Sequence, residues 1–336
     1  MLDKINFYQT GSNTVGNRLL NPAMRSIQAS VDRPNSLISG HRACQGCGEA
    51  LGARYAIDAA MRATNGQIMV VNATGCLEVF STPYPESAWR LPWVHSLFGN
   101  TAAVGSGLAA AAKIRAMKNG DTNVPRIIAQ GGDGGTTDIG FGPLSGMFER
   151  NDDVLYICYD NEAYMNTGIQ RASSTPKYAE TTTSAVGKCS PGKGQTRKDL
   201  AAVIAAHDIP YVAQTTFIGN FKDLHEKAYK AIHTPGAAFL NIMAPCPRGW
   251  RYPSEDMMTI CKMAVETCFW PLFEVENGVW KLSYRPKNKL PIEEFLKLQG
   301  RFRHLFKPGN EALIAEIQKD VDEKWAQLLK KCGEEL

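Results

Sequence analysis

Short apolar runs alternate with helix-like stretches through the middle of the chain. Strands are predicted at residues 67–72, 126–130, 154–159, 211–214 and 237–243, of which 237–243 is predicted to be the last. Helices are predicted at residues 101–117, at about 137–149 and in a segment that ends at 203–207. Strands that are apolar at nearly every position are buried on both faces. The pattern therefore predicts an α/β fold, a mostly parallel sheet covered by helices on both faces.

The two ends of the chain differ from this middle part. Residues 1–39 are polar and weakly periodic, which predicts an N-terminal arm, and residues 40–250 are predicted to form the main domain. Residues 251–336 are predicted to be a C-terminal extension. It ends in an amphipathic helix, Glu311–Lys331, which places Ile317, Val321 and Trp325 on one side.

Composition narrows the class of protein. The chain has 336 residues, 44% of them hydrophobic, with a formal net charge of +4. No block of Lys and Arg interleaved with aromatic residues indicates a nucleic-acid surface. No run reaches the ~18 apolar residues of a membrane span, and the first residues lack the apolar core of a signal peptide. A cytoplasmic location is expected.

A glycine-rich turn follows the predicted strand at 126–130. Its sequence, GGDGG at residues 131–135, lacks the Lys-Ser/Thr of a P-loop and the spacing of a dinucleotide fold. Asp133 is a hard ligand suited to Mg²⁺, and Asn161 follows the next predicted strand. A backbone carbonyl near Ala163 completes a possible Mg²⁺ site that would hold a diphosphate. The alternative is that Asp133 and Asn161 only cap turns.

Four of the nine cysteines lie in turns beside Gly or Pro, namely Cys44, Cys47, Cys76 and Cys246. A C-x-x-C pair alone is compatible with zinc, a redox disulfide or an iron–sulfur cluster. No second C-x-x-C indicates a zinc ribbon, and four thiolates from strand ends suit a [4Fe–4S] cluster. Zinc and a purely structural role remain open. Cys158 lies within an apolar run and is predicted to be a buried side chain.

Five motifs together resemble the β subunit of 2-oxoacid:ferredoxin oxidoreductases, the pyruvate:ferredoxin oxidoreductase family. They occupy residues 41–48, 72–76, 131–135, 159–168 and 296–302, and the likeness runs from about residue 40 to 327. The resemblance implies thiamine diphosphate bound through Mg²⁺ and a [4Fe–4S] cluster on the four cysteines. It also implies that Asn166 reaches the reacting centre. Further implied roles are cofactor-binding positions Gly75, Gly132, Gly134 and Gly135, and Mg²⁺ ligands Asp133, Asn161 and the Ala163 carbonyl.

The same resemblance implies a reaction and partners. A 2-oxo acid is oxidatively decarboxylated to acyl-CoA and CO₂, and the cluster passes electrons to ferredoxin, to an NAD-reducing subunit or to a similar acceptor. Coenzyme A takes the acyl group. Partners are α, γ and ferredoxin-like δ subunits, which include the subunit that supplies the glutamate facing the aminopyrimidine. The polar arm and the final helix are expected to dock them.

Pyruvate is the first expected substrate and an aromatic 2-oxo acid such as phenylglyoxylate the second. Gly99 stands where many pyruvate members carry an acidic residue.

Two other functions explain part of the pattern. A non-redox thiamine diphosphate decarboxylase would use the glycine turn but leave the four turn cysteines without a role. A non-catalytic, metal-stabilised electron-transfer subunit would use the cysteines but leave Asp133 and Asn161 unexplained. Extractable thiamine diphosphate together with visible absorption distinguishes the three.

Overall fold

The computed structural model describes residues 35–83, 87–218 and 221–335. The predicted arm therefore lies outside the described residues up to residue 34. The end of the predicted arm, residues 35–39, is described and packs against the main domain. Leu37 forms a bridge with Trp89, and the Ser36 amide donates to Asp58 Oδ1 at 2.7 Å.

The helices and strands alternate through most of the described chain. Residues up to 160 form α1 (Gly48–Ala63), β1 (Ile68–Ala73), α2 (Cys76–Ser81), β2 (Trp93–Ser96), α3 (Thr101–Asn119), β3 (Arg126–Gly132), α4 (Phe141–Glu149) and β4 (Val154–Asp160). The elements that follow are β5 (Val186–Gly187), β6 (Ser190–Pro191), α5 (Leu200–Ala205), β7 (Tyr211–Thr215), α6 (Lys222–His233) and β8 (Ala238–Met243). The last elements are α7 (Pro247–Trp250), α8 (Met257–Glu266), β9 (Phe273–Glu276), β10 (Val279–Leu282), α9 (Glu293–Leu296) and α10 (Glu311–Lys331). Short helical segments of other types lie at Gly135–Ile139 (π), Ser254–Asp256 (3₁₀) and Gly300–Phe306 (3₁₀).

The main sheet of the described chain has eight strands in the order β10-β9-β7-β8-β4-β3-β1-β2. Its six strands from β7 to β2 run parallel to one another. Every residue of β4, β7 and β8 is buried. Successive residues of a strand point to opposite faces, so both faces of the sheet are covered. The predicted α/β fold with a mostly parallel sheet is confirmed.

The prediction that residues 237–243 form the last strand is wrong. β9 and β10 follow β8 and form an antiparallel hairpin whose β9 pairs with β7. Asn277 and Gly278 make the turn between them with φ values of 48° and 79°. Two positive φ values are what a tight two-residue hairpin requires. The predicted C-terminal extension therefore adds two strands to the main sheet.

The helix predicted at about 137–149 begins differently. A wide π turn, Gly135–Ile139, comes first, and α4 starts only at Phe141. The Gly140 amide donates to the Gly135 carbonyl at 2.8 Å, and a Cβ at Gly140 would overlap that carbonyl oxygen. Glycine is therefore required where the two helical turns join.

The predicted final helix is confirmed with its bounds. Its apolar side is buried against the rest of the chain through Ile317, Val321, Trp325, Leu328 and Leu329. α10 thus uses its apolar face within this chain, which leaves its polar face for any partner. No helix in the described ranges is long and apolar enough to cross a lipid bilayer.

Candidate functional site

Four neighbouring parallel strands end side by side at the site. In the order β8-β4-β3-β1, Met243 pairs with Asp160, Tyr159 with Gly132, and Gln130 with Asn72. The segments that leave these strands are therefore adjacent. They carry Cys246 after β8, Asn161 after β4, Asp133 after β3 and Cys76 after β1.

Asp133 lies fully buried directly after β3. Its Oδ1 accepts a hydrogen bond from the backbone amide of Asn161 at 3.3 Å, and its Oδ2 accepts one from the Ser174 hydroxyl. Burial, and after it the charge of Asp160, raises the pKa of Asp133 well above its usual range. No basic side chain among the described residues forms an ion pair with Asp133, so a bound cation would relieve this cost.

Asn161 has one satisfied and one unsatisfied side-chain atom. Its Nδ2 donates to Glu49 Oε2 at 3.2 Å, whereas its Oδ1 is buried without a hydrogen-bond partner. A buried carbonyl oxygen without a partner is costly unless something outside the described chain binds it. Amide and carboxylate oxygens are ligands that Mg²⁺ prefers. Asp133 and Asn161 therefore fit a Mg²⁺ site.

We call Asp133 and Asn161 together the clamp. The glycines around the clamp are present for two different physical reasons. A Cβ at Gly134 would lie 2.6 Å from the Tyr164 ring, so Gly134 allows Tyr164 to pack closely. A Cβ at Gly75 or Gly132 would meet no protein atom within 4 Å. Neither position needs glycine for packing within this chain, which fits the close approach of a bound group to the backbone.

One cavity collects nearly all the predicted cofactor-binding residues. Its lining includes Gly75, Gly132, Gly134, Gly135, Asn161, Ala163 and Asn166. Asp133 is buried behind this surface. Asn166 is exposed at the cavity, next to half-buried Met165. The structure thus brings the predicted positions together, while their individual roles remain predictions.

One of the four turn cysteines, Cys76, lines the cavity, and the other three lie near Cys76. Cys47 accepts the Ala50 amide at 3.4 Å at the start of α1, and Cys246 accepts the Gly249 amide at 3.3 Å at the start of α7. Cys76 is the first residue of α2 and lines the cavity. Cys44 is exposed in the turn just before Cys47. Amides at helix starts stabilise negative charge on sulfur.

The thiols of these cysteines are close enough to affect one another. Burial, and after it the charges of Glu49 and the other three cysteines, raises the pKa of the Cys76 thiol. Burial also raises the pKa of Cys47 to about 12. Within the described ranges no three or more His, Cys, Asp or Glu side chains form a group that could hold a metal ion. The four cysteines nevertheless lie near one another, and their role as cluster ligands stays a prediction.

Cys158 lies fully buried within β4, as its apolar surroundings predicted. It points into the sheet's packing and does not belong to the group of turn cysteines.

Sequence reasoning missed Glu49, which joins the two halves of the site. Its carboxylate is buried two residues after Cys47, where it accepts Asn161 Nδ2. Burial, opposed by the hydrogen bonds from Asn161 and the Leu77 amide, raises the pKa of Glu49 to about 7. The available signal was an acidic residue in the first turn of the helix that Cys47 begins.

Sequence reasoning also missed Ser174 and the lysine that holds its loop. The fully buried Lys193 donates to the carbonyls of Ser173, Thr175 and Thr196. Burial, and then the charges of Arg171 and Arg197, lowers the pKa of Lys193 to about 8. These contacts fix the segment from which Ser174 reaches Asp133.

Comparisons with known proteins agree on one family. Residues 73–242 match the family described as thiamine pyrophosphate enzyme, C-terminal TPP binding domain. The pyruvate synthase subunit PorB of Methanocaldococcus jannaschii is 49% identical over 301 residues, which is 89% of this chain and 98% of that protein. The ketoisovalerate oxidoreductase subunit VorB of Pyrococcus abyssi is 44% identical over 88% of this chain and 93% of its own length.

A solved structure shows a related fold. The 2-oxoglutarate:ferredoxin oxidoreductase of Magnetococcus marinus, with 2-oxoglutarate, coenzyme A and succinyl-CoA bound, superposes with a TM-score of 0.51 at 22% identity. The superposition covers 68% of this chain and 78% of that one. With nearly half of all residues shared with PorB over almost its full length, the chain belongs to the thiamine diphosphate-binding β subunits of the 2-oxoacid:ferredoxin oxidoreductase family.

Proposed function

We propose that this chain is the catalytic β subunit of a complex that oxidatively decarboxylates a 2-oxo acid to acyl-CoA and CO₂. The observation that carries the proposal is the unsatisfied, buried Oδ1 of Asn161 beside Asp133, in the same cavity as Cys76. The residues proposed to hold a diphosphate through Mg²⁺ thus lie close to a group of thiols. Neither alternative function explains both.

Asp133, Asn161 and the Ala163 carbonyl are the proposed Mg²⁺ ligands. The backbone at Gly75, Gly132, Gly134 and Gly135 is the proposed wall for thiamine diphosphate, since open space faces Gly75 and Gly132. Bound thiamine diphosphate supplies the carbon nucleophile for the 2-oxo carbonyl and accepts electrons as CO₂ leaves. The chain's own residues would hold the cofactor in a single orientation.

Asn166 is the proposed residue that acts on the substrate. Its exposed amide lines the cavity, beside Met165 and Thr167. An amide N–H at that position would donate to the substrate carbonyl oxygen as negative charge develops there.

Cys44, Cys47, Cys76 and Cys246 are the proposed ligands of a [4Fe–4S] cluster. Such a cluster supplies a one-electron acceptor next to the cofactor. The amides that point at Cys47 and Cys246 favour the thiolate form that iron requires.

Pyruvate is the proposed substrate, with coenzyme A as acyl acceptor and ferredoxin as electron acceptor. Support comes from the relatives, several of which are named pyruvate synthase subunits, at 44–49% identity. One relative at 44% identity is named for ketoisovalerate, so a branched 2-oxo acid is the nearest competitor. Because relatives of this length are named as subunits, we propose that α, γ and ferredoxin-like δ subunits complete the enzyme.

The test uses the complex purified with its partner subunits. kcat/KM with ferredoxin and coenzyme A is compared for pyruvate, ketoisovalerate, phenylglyoxylate and 2-oxoglutarate, and the bound cofactor is extracted and identified. The proposal expects thiamine diphosphate, coenzyme A-dependent reduction of ferredoxin and the highest kcat/KM for pyruvate. Decarboxylation without acceptor reduction would support the non-redox enzyme, and an absence of thiamine diphosphate would support the electron-transfer subunit. A preference for 2-oxoglutarate would overturn the substrate assignment.

A further inference from the structure

The motif at residues 296–302 lies far along the chain from the clamp, yet its arginine ends beside it. Arg301 is buried in the Gly300–Phe306 turn and donates from Nη2 to Glu162 Oε2. Its Nε donates to Gln299 Oε1 at 2.9 Å, and its guanidinium lies 3.9 Å from the centre of the Trp250 ring. Three contacts therefore fix the orientation of this guanidinium.

A second arginine holds the other oxygen of the same carboxylate. Arg197 donates from Nη1 to Glu162 Oε1 at 3.2 Å and from Nη2 to Asp160 Oδ2 at 2.8 Å. Its guanidinium lies 4.4 Å from the centre of the Trp270 ring. Glu162 is fully buried, and each of its two carboxylate oxygens is paired with one of these arginines.

In the sequence, Glu162 lies between two of the three proposed Mg²⁺ ligands, Asn161 and Ala163. Its φ is 66°, in the left-handed region that residues with a Cβ rarely adopt. Its amide donates to Asp160 Oδ1 at 3.1 Å, and its carbonyl accepts the Thr175 hydroxyl at 2.6 Å. The side chain and both backbone groups of this residue are therefore held by other parts of the chain.

The neighbouring carbonyl is also taken. Trp250 Nε1 donates to the Asn161 carbonyl at 2.8 Å, and Trp250 is the ring on which Arg301 stacks. With its backbone tied in this way, Asn161 has only its side-chain Oδ1 left without a partner.

The charges follow the same division. Four carboxyl groups are buried at the site, those of Asp133, Asp160, Glu162 and Glu49. The two arginines pair with Asp160 and Glu162, and within the described part of the chain no ion pair reaches Asp133 or Glu49. Asp133 is thus left for a cation.

We propose that Arg301, with Arg197, positions the Mg²⁺ site by holding Glu162 in the left-handed turn that presents Asn161 and Ala163. Arg301 is a positioning residue, since it contacts neither the proposed cation nor the substrate. This inference rests on the proposed function and assigns a role to the motif at residues 296–302. It requires the guanidinium fork and its stacking, because a lysine offers a compact charge without either.

The experiment measures the Mg²⁺ dependence of thiamine diphosphate binding in the purified complex. Cofactor and Mg²⁺ are removed by chelation and desalting, and retained thiamine diphosphate is assayed after gel filtration at increasing Mg²⁺. Arg301→Gln should raise the half-saturating Mg²⁺ concentration about 10- to 100-fold, the usual effect of residues behind metal ligands. Arg301→Lys should give a smaller increase. Iron content should match that of the unmodified complex.

Two further variants separate positioning from general stability. Lys227→Gln removes another buried charge, one paired with Asp223 at 2.8 Å within α6, and should lower the unfolding temperature without changing the Mg²⁺ requirement. Glu162→Gln should shift the Mg²⁺ requirement as Arg301→Gln does. The double variant should then be much less than additive, since both act through one contact.

The outcomes are distinguishable. A Mg²⁺ requirement that moves no more in Arg301→Gln and Arg301→Lys than in Lys227→Gln overturns the positioning role while leaving the proposed function intact. Additive effects of Arg301→Gln and Glu162→Gln also overturn it. An unmodified complex that binds thiamine diphosphate equally well without Mg²⁺ overturns this inference together with the proposed Mg²⁺ ligands, and one that binds no thiamine diphosphate overturns the proposed function as well.

Discussion

The two polar side-chain atoms of Asn161 differ in whether the protein gives them a hydrogen-bond partner. Nδ2 donates to Glu49 and Oδ1 is buried without a partner, while the backbone amide of the same residue donates to Asp133. In a protein interior, an unbound polar atom costs about 1–3 kcal/mol. A cation held by both residues, as proposed for Mg²⁺, would remove that cost.

Replacing Asp133 tests the clamp at the level of one residue. Asp133→Ala should weaken binding of thiamine diphosphate with Mg²⁺ by more than about 100-fold, because even residues behind a metal ligand contribute about 10- to 100-fold. Ser174→Ala removes one hydrogen bond to Asp133 and is the matched control, with a smaller loss. Retained cofactor is measured after gel filtration. Stoichiometric thiamine diphosphate in Asp133→Ala would mean that Asp133 is not a ligand.

Replacing Cys76 tests the cluster separately. Cys76→Ser should lose most of the iron and the paramagnetic signal of the reduced cluster, and acceptor reduction should stop. The exposed Cys189 provides the control, since Cys189→Ser should keep both. Iron content and electron paramagnetic resonance are the measurements. A full iron complement and an unchanged signal in Cys76→Ser would remove Cys76 from the ligand set.

At the scale of elements, the corner between β2 and α3 packs against the π turn. A Cβ at Gly99 would lie 2.8 Å from the Ile139 carbonyl oxygen and 3.2 Å from its carbon. The glycine found where an acidic residue was expected therefore has a packing reason. It does not by itself indicate a different substrate.

Gly99→Ala should consequently destabilise the chain by about 1–3 kcal/mol, the usual cost of overpacking. Gly107→Ala is the matched control because it lies within α3 with no atom near its Cβ. It should stabilise the helix by roughly 0.5–1 kcal/mol. Denaturant unfolding of the purified chain measures both. Equal stability of the two variants would contradict the packing argument.

The elements show where sequence reasoning succeeds. β1, β3, β4, β7 and β8 were predicted to within one or two residues, because buried parallel strands are apolar at nearly every position. The edge strands β2 and β10 were missed because they are short and partly exposed, and β9 was missed because it is only four residues long. The Asn277-Gly278 turn was a usable signal for the hairpin.

The site followed the same rule. Asp133 and Asn161 could be paired because strand ends in a parallel sheet are adjacent. The partners Glu49, Ser174 and Arg301 could not, because their contacts join segments that are distant in sequence and carry no spacing rule.

At the scale of the whole molecule, the buried glutamates near the cavity already have partners within the described chain. Thiamine enzymes need a glutamate against the aminopyrimidine, and Glu49 is the described glutamate that lines the cavity. Its carboxylate already accepts from Asn161 and the Leu77 amide, and Glu162 is enclosed by two arginines. Two large apolar side chains near the cavity are exposed. Leu97, 69% exposed, precedes Phe98 of the cavity wall, and Ile139, 57% exposed, ends the π turn that begins at Gly135. Exposed apolar groups beside a site are typical of an interface.

The purified chain alone, loaded with iron and thiamine diphosphate, should therefore show no coenzyme A-dependent oxidation of pyruvate, even with an artificial one-electron acceptor that bypasses ferredoxin. Adding the partner subunits should restore turnover, because we propose that they supply the glutamate facing the aminopyrimidine and cover the exposed apolar side chains. Iron and thiamine diphosphate are assayed in the same sample, so that inactivity cannot be due to an empty site. Turnover by the loaded chain without partners would show that its own residues, with Glu49 the first to examine, activate the aminopyrimidine.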